Sequence, residues 1–143
     1  MIAIDTNILV YAHRGDSPWH GKALELATHL ANSGNPWAIT WASVHEFLAI
    51  VTHPKIYNPP TPLPTALDSI RAWMESPGLR LLGEGSGYYE ILHKQATKGK
   101  IKGTRIHDAR IASVCIHHGV KKLWTADRDF SAFPGLSCEN PLV

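Results

Sequence analysis

Apolar and polar positions divide the chain into short pieces of two kinds. Three apolar residues, Ile2 to Ile4, run straight into Asp5. WAIT at 37–40, LRLL at 79–82 and KLWT at 122–125 are similarly brief. Their apolar continuity predicts strands buried on both faces, and LSCEN at 136–140 is a candidate fifth. Between the strands the period lengthens. NILVYAH follows the first strand directly, and Ala23, Leu24, Ala27, Leu30 and Ala31 recur at helical spacing in a segment that stops at Gly34. ASVHEFLAIVTH is apolar on most sides, which predicts a central helix. TALDSIRAWMES, YYEILHKQATK and TRIHDARIASVCIHHG, closed by Gly119, complete the set. HPKIYNPPTPLP, residues 53–64, holds five of the ten prolines, too many for a regular element, and is expected to cross the surface.

Strands of about four residues alternating with helices predict a parallel sheet covered on both sides. With right-handed crossovers this is an α/β fold, a three-layer α/β/α sandwich. The 143 residues suit one domain spanning 1–143, with no internal repeat. No apolar run approaches the ~20 residues of a membrane span, and no basic segment leads into an apolar stretch at the N-terminus, so no membrane is expected and a cytoplasmic location is. Cys115 and Cys138 lack the spacing of a metal finger. Nine histidines raise the question of zinc, but HEFLA is not HExxH, and His117 and His118 fall on diverging helix faces.

Net charge is only +2, from 14 basic and 12 acidic residues. Its distribution matters more. Five basic residues lie in KQATKGKIKGTR, from Lys94 to Arg105. That is either a solvated loop or an electrostatic footprint for phosphate.

Function in a parallel sheet collects at the carboxyl ends of the strands. Asp5 ends the first strand, and Asp127 stands just beyond KLWT, so the two meet if those strands are neighbours. Asp108 has Ile111, Ala112 and Cys115 at i+3, i+4 and i+7 and so shares the apolar face of its helix. The helix dipole favours an acid in the first turn by ~0.3–1 kcal/mol, but it does not choose that face. Glu46 is flanked by Val44, Phe47 and Leu48. A buried carboxylate must neutralise or find a cation. Separate salt bridges, for example to Arg110 or Arg128, are one explanation. The other is a shared hard cation, magnesium or manganese, which suits clustered oxygen ligands. Such an ion makes water a better nucleophile and stabilises the oxygens of a reacting phosphate. An acidic pocket with a basic rim is what a phosphodiesterase acting on a nucleic-acid backbone requires.

MIAIDTNILVYA, Glu46 in a mid-chain apolar helix, HDARIASVCIHHG, and LWTADRDF followed by FPGL and NPLV together resemble the PIN-domain ribonucleases, most of all the VapC-type toxins of toxin–antitoxin pairs. The resemblance runs over nearly the whole chain in the right order. It implies five strands in the order 3-2-1-4-5 and a metal-dependent endoribonuclease. Its acidic quartet is Asp5, Glu46, Asp108 and Asp127, with Asp129 an additional acid near a magnesium ion that manganese can replace. Thr6, Asn7 and Thr125 would support these carboxylates. Lys98, Lys100, Lys102 and Arg105 would hold the RNA backbone. The expected partners are an RNA substrate, a cognate antitoxin and a second copy of the chain in a homodimer. The antitoxin surface is expected on the first helix and the helices of 20–33 and 42–52, with Tyr11, Trp19 and Trp41 as anchors and Phe47 better placed in the core. The Pro-rich segment and the five tryptophans are not part of the general pattern.

Three rival readings share parts of this pattern. A haloacid-dehalogenase-type phosphatase needs Asp-x-Asp after strand one, where this chain has Asn7. A catalytically weak RNA-binding or regulatory module of the same fold would be favoured by a missing acid, and all four are present. A flap nuclease acting on DNA carries more acids and larger insertions than 143 residues accommodate.

Overall fold

The computed structural model describes residues 1–143. β1 (Ile2–Ile4) is central, between β2 (Trp37–Thr40) and β4 (Lys122–Trp124), while β3 (Leu79–Leu82) and β5 (Ser137–Glu139) form the edges. All four pairings are parallel, giving the expected order 3-2-1-4-5. The helices are α1 (Thr6–His13), α2 (His20–Asn32), α3 (Trp41–Val51), α4 (Leu63–Met74), α5 (Tyr88–Lys98) and α6 (Ile106–His117). No helix is long and apolar enough to cross a membrane.

Strand alternation sorts the core into two layers. Ala3 pairs with Ala38 and Leu123 in register, and these three pack with Ala109, Ile111, Ala112 and Cys115 of α6 and with Phe130 and Phe133. Their neighbours Ile4, Trp37 and Ile39 turn the other way. They pack on Ile8 and Leu9 of α1, Ala23 and Leu30 of α2, Phe47 and Val51 of α3, and Ala66 and Ile70 of α4. Each layer contains 14 buried residues, so neither sheet face is left to water. Burial on both faces is why the central strands β1 and β2 read as continuous apolar runs, while Arg80 of edge strand β3 and Ser137 and Glu139 of edge strand β5 are exposed. On the α6 side the contact is alanine against alanine (Ala3 and Ala38 against Ala109 and Ala112), all at most 1% exposed. Small residues let a helix lie close to its neighbour, and here they seat the start of α6 against the sheet.

Differences from the expected elements lie at their ends. The Pro-rich crossing is shorter than expected, because α4 begins at Leu63 inside it. Pro64 occupies the first turn, where a missing N–H costs nothing. A 3₁₀ turn at Gly103–Arg105 precedes α6, and another spans Arg128–Ala132 after β4. Gly103, with φ of +64°, supplies the left-handed residue that starts the first of these turns. Phe47 is fully buried, edge-on to Trp73 at 4.8 Å and to His13 at 5.3 Å, as expected for a core residue.

Candidate active site

Asp5 lies where β1 passes into α1. Its backbone N–H donates to Trp124 O at 2.9 Å, extending the β1–β4 ladder by one residue. It occupies the N-cap of α1, yet its side chain makes no capping bond. Thr40, at the corresponding place before α3, does cap, accepting from Ser43 N at 3.1 Å. An aspartate cap is ordinarily worth about 1 kcal/mol. Asp5 forgoes it because its carboxylate is engaged elsewhere: the Thr125 hydroxyl donates to Oδ2 at 2.7 Å.

Thr125 is the hub of this end of the sheet. Its hydroxyl oxygen also accepts from Asp127 N at 3.0 Å and from Asn7 Nδ2 at 3.4 Å, and Asn7 Oδ1 accepts from Ala126 N at 3.2 Å. One threonine thus ties the residue after β1 to the turn after β4. Asp127 in turn caps the following 3₁₀ turn, accepting from Asp129 N at 2.8 Å, which brings the second acid of ADRDF beside the first. Thr6 departs from its expected role. Its buried hydroxyl makes no hydrogen bond.

Asp108, in the first turn of α6, reaches the same place from the other side. Carboxylate oxygens of Asp108, Asp127 and Asp129 lie within 4.8 Å of one another. Asp129, expected as an accessory, therefore belongs to the close trio, whereas Asp5 stands outside it on the hub. The electrostatics bind the remaining acids to the group. Burial pushes Asp5 up from 3.8 to about 7, opposed by the Thr125 and Thr6 hydrogen bonds and reinforced by repulsion from Glu46 and Asp108. Asp108 is also raised, by burial first and then by Asp127, against the pull of Arg105. Glu46 on α3 is raised by burial and by Asp108, and lowered by His107 and Arg110.

Separate salt bridges do not explain these acids. None of Asp5, Glu46, Asp108 and Asp127 forms an ion pair. Arg110 pairs with Glu84 instead, and the nearest cation to the trio is Arg105, with Nε 4.0 Å from Asp129 Oδ2. The donor set is all oxygen, and its span is little wider than the ~4 Å that separates opposite ligands at ~2.0–2.1 Å from one magnesium ion. The residues present fit a hard divalent cation.

Around the acids, Glu46, Thr104, Arg105, His107, Asp108 and Asp129 line an open cleft of about 450 Å³. Arg105 is the one member of the basic segment that reaches it, and its Nη2 donates to Asp129 O at 3.0 Å. Lys98, Lys100 and Lys102 are exposed, form no ion pair and do not line the cleft. His107 and Thr104 were not singled out in the sequence. Adjacency to Asp108 was the signal for His107.

Of the expected apolar anchors, Trp19 and Trp41 are about two-fifths exposed and Tyr11 is half-buried. An apolar hollow of about 320 Å³ lies between α1, α2 and α4. Leu9, Leu24, Ala27, Trp37 and Trp73 line it, and none of the three anchors does.

A parallel sheet with carboxylates gathered at its carboxyl edge is the arrangement of a PIN domain. The PIN domain family model matches residues 2–136, and the chain belongs to that family. Relatives include ribonuclease VapC48 of Mycobacterium tuberculosis, 29% identical over 137 residues that cover 96% of this chain and 94% of the relative. Ribonuclease VapC43 of the same organism is 29% identical over 142 residues, 99% of this chain and 96% of the relative. Among solved structures, VapBC2 from Rickettsia felis bound to a DNA fragment from its promoter superposes with a TM-score of 0.69 at 23% identity, over 97% of this chain and 98% of that one. The sarcin–ricin-loop-cleaving toxin VapC20 of M. tuberculosis gives 0.68 at 15% identity, over 95% and 98%.

Proposed function

We propose that this chain, as a single domain over residues 1–143, is a metal-dependent endoribonuclease and the toxin of a toxin–antitoxin pair. The observation that carries the reading is the close trio Asp108, Asp127 and Asp129, where only Asp129 has a cation within reach, backed by the buried, raised carboxyls of Asp5 and Glu46. These five would hold magnesium, with manganese as a substitute. When bound, the ion polarises a phosphate oxygen and makes water a better nucleophile. The chain's own residues supply the rest. Thr125 and Asn7 fix the carboxylates in place, Arg105 orients Asp129, and Lys98, Lys100 and Lys102 attract flanking phosphates without reading bases.

The relatives support the choice of RNA and of a partner, since several are named ribonucleases and the solved neighbours include toxin–antitoxin complexes. An antitoxin would dock on the surface of α1, α2 and α3, with Tyr11, Trp19 and Trp41 as apolar anchors, and a second copy of the chain would complete a homodimer. Expression of the chain alone in a bacterial host should arrest growth. Co-expression of the adjacent small open reading frame should restore it, and Asp5→Asn should be harmless alone. An inactive variant that arrests growth as well as wild type would place the toxicity outside this site.

A further inference from the structure

Two clefts meet at the acids. Beside the one that holds Asp108 and Asp129 lies a second, of about 280 Å³, lined by Ala42, His45, Glu46, Ala49, His107 and Arg110. Glu46 and His107 line both, so the two form one groove. Its walls are regular. Positions 42, 45, 46 and 49 are i, i+3, i+4 and i+7 on α3, and 107 and 110 are i and i+3 on α6, so each helix contributes one stripe. The two alanines leave depth between the stripes, and the two imidazoles are flat groups beside that space.

The polar groups are set in advance. The His45 ring is tied by Nδ1 to Trp41 O at 2.9 Å, leaving Nε2 without a partner. Arg110 is held by Glu84 through Nε alone, so both terminal nitrogens of its guanidinium remain unbonded. An anchored guanidinium with two free N–H prongs is a donor fork. Such a fork matches either a phosphate or the O6/N7 pair of guanine. Charge decides between them. Glu84 already neutralises Arg110, and Glu46 stands where the two clefts join, so this cleft offers no surplus positive charge to a second phosphate.

We propose that the cleft between α3 and α6 is a base-specificity subsite, which seats the nucleotide flanking the scissile phosphate, and that Arg110 reads a guanine there. The proposal rests on the ribonuclease reading above. RNA recognised in single-stranded regions presents such unstacked bases to protein pockets.

The test uses the full chain with magnesium and an RNA pool randomised around a central stretch, with the cut ends sequenced. Wild type should favour guanine at one position beside the cut. Arg110→Ala should abolish that preference and raise KM about tenfold on the guanine substrate while changing kcat far less, the pattern of lost binding rather than lost chemistry. Arg110→Lys keeps the charge without the fork and should lose the preference too. Ala49→Phe, at an exposed position of α3, should fill the cleft with a similar rise in KM and an unchanged melting temperature. If wild type cuts RNA with no guanine preference, or Arg110→Ala and Ala49→Phe keep wild-type preference and KM, the subsite is wrong and the ribonuclease reading stands. If wild type cuts no RNA, the ribonuclease reading itself fails.

Discussion

Replacing Asp5 by asparagine changes the charge of the site while nearly preserving its shape. Asp5 is 4% exposed, and its carboxyl is pushed from 3.8 up to about 7, chiefly by burial. In the unfolded chain an aspartate ionises near ~3.9. Between those values the folded state keeps a proton that the unfolded state has released, so stability falls as pH rises from about 4 to about 7, then levels off. A gap of about 3 pH units at ~1.36 kcal/mol each sets an upper bound of about 4 kcal/mol. Asparagine has no proton to lose. In EDTA at pH 8, Asp5→Asn should therefore be more stable than wild type by roughly 2–4 kcal/mol, melting roughly 5–12 °C higher. Below pH 4 the advantage should vanish. Thermal melts followed by circular dichroism at pH 4, 6 and 8 read this directly. Melting curves of wild type and variant that stay parallel across that range would refute the reasoning, because no proton would then be held at Asp5.

Magnesium or manganese should raise the melting temperature of wild type, since a cation relieves the repulsion among the acids, and Asp108→Asn should shrink that rise; equal shifts would put the ion elsewhere. Thr125→Val removes the hydroxyl that joins Asp5, Asn7 and Asp127, and should lower RNA cleavage about 10–100-fold in a protein that still folds, as loss of a partner that orients metal ligands does. Replacing Lys98, Lys100 and Lys102 by alanine should weaken RNA binding across sequences and reduce the slope of log K against log salt by about 2, at ~0.7 per phosphate contact on single strands. A change confined to the preferred sequence would mean these lysines read bases.

The central strands were legible because burial on both faces writes itself as unbroken apolar runs, and the helices because their stripes repeat. Asp5, Glu46 and Asp108 were legible for the opposite reason: each is a charge set among apolar neighbours. The hub was less so. Thr125 could be named as a support, but nothing in LWTADRDF says that one hydroxyl serves Asp5, Asn7 and Asp127 together, since its bonds to Asp5 and Asn7 span 120 and 118 positions. The place of Asp129 beside Asp127 depends on Asp127 capping the 3₁₀ turn, a local bond that the sequence does not announce. The apolar hollow between α1, α2 and α4 and the cleft between α3 and α6 both arise from helix packing, which periodicity alone does not specify.

The most direct measurement is cleavage of a labelled single-stranded RNA by the purified chain, resolved on a denaturing gel. The account predicts internal cuts with magnesium, none with EDTA, and none from Asp108→Asn or Asp127→Asn, both folded by circular dichroism. Intact RNA with the wild-type protein and magnesium, or equal cutting by the two variants, would contradict it.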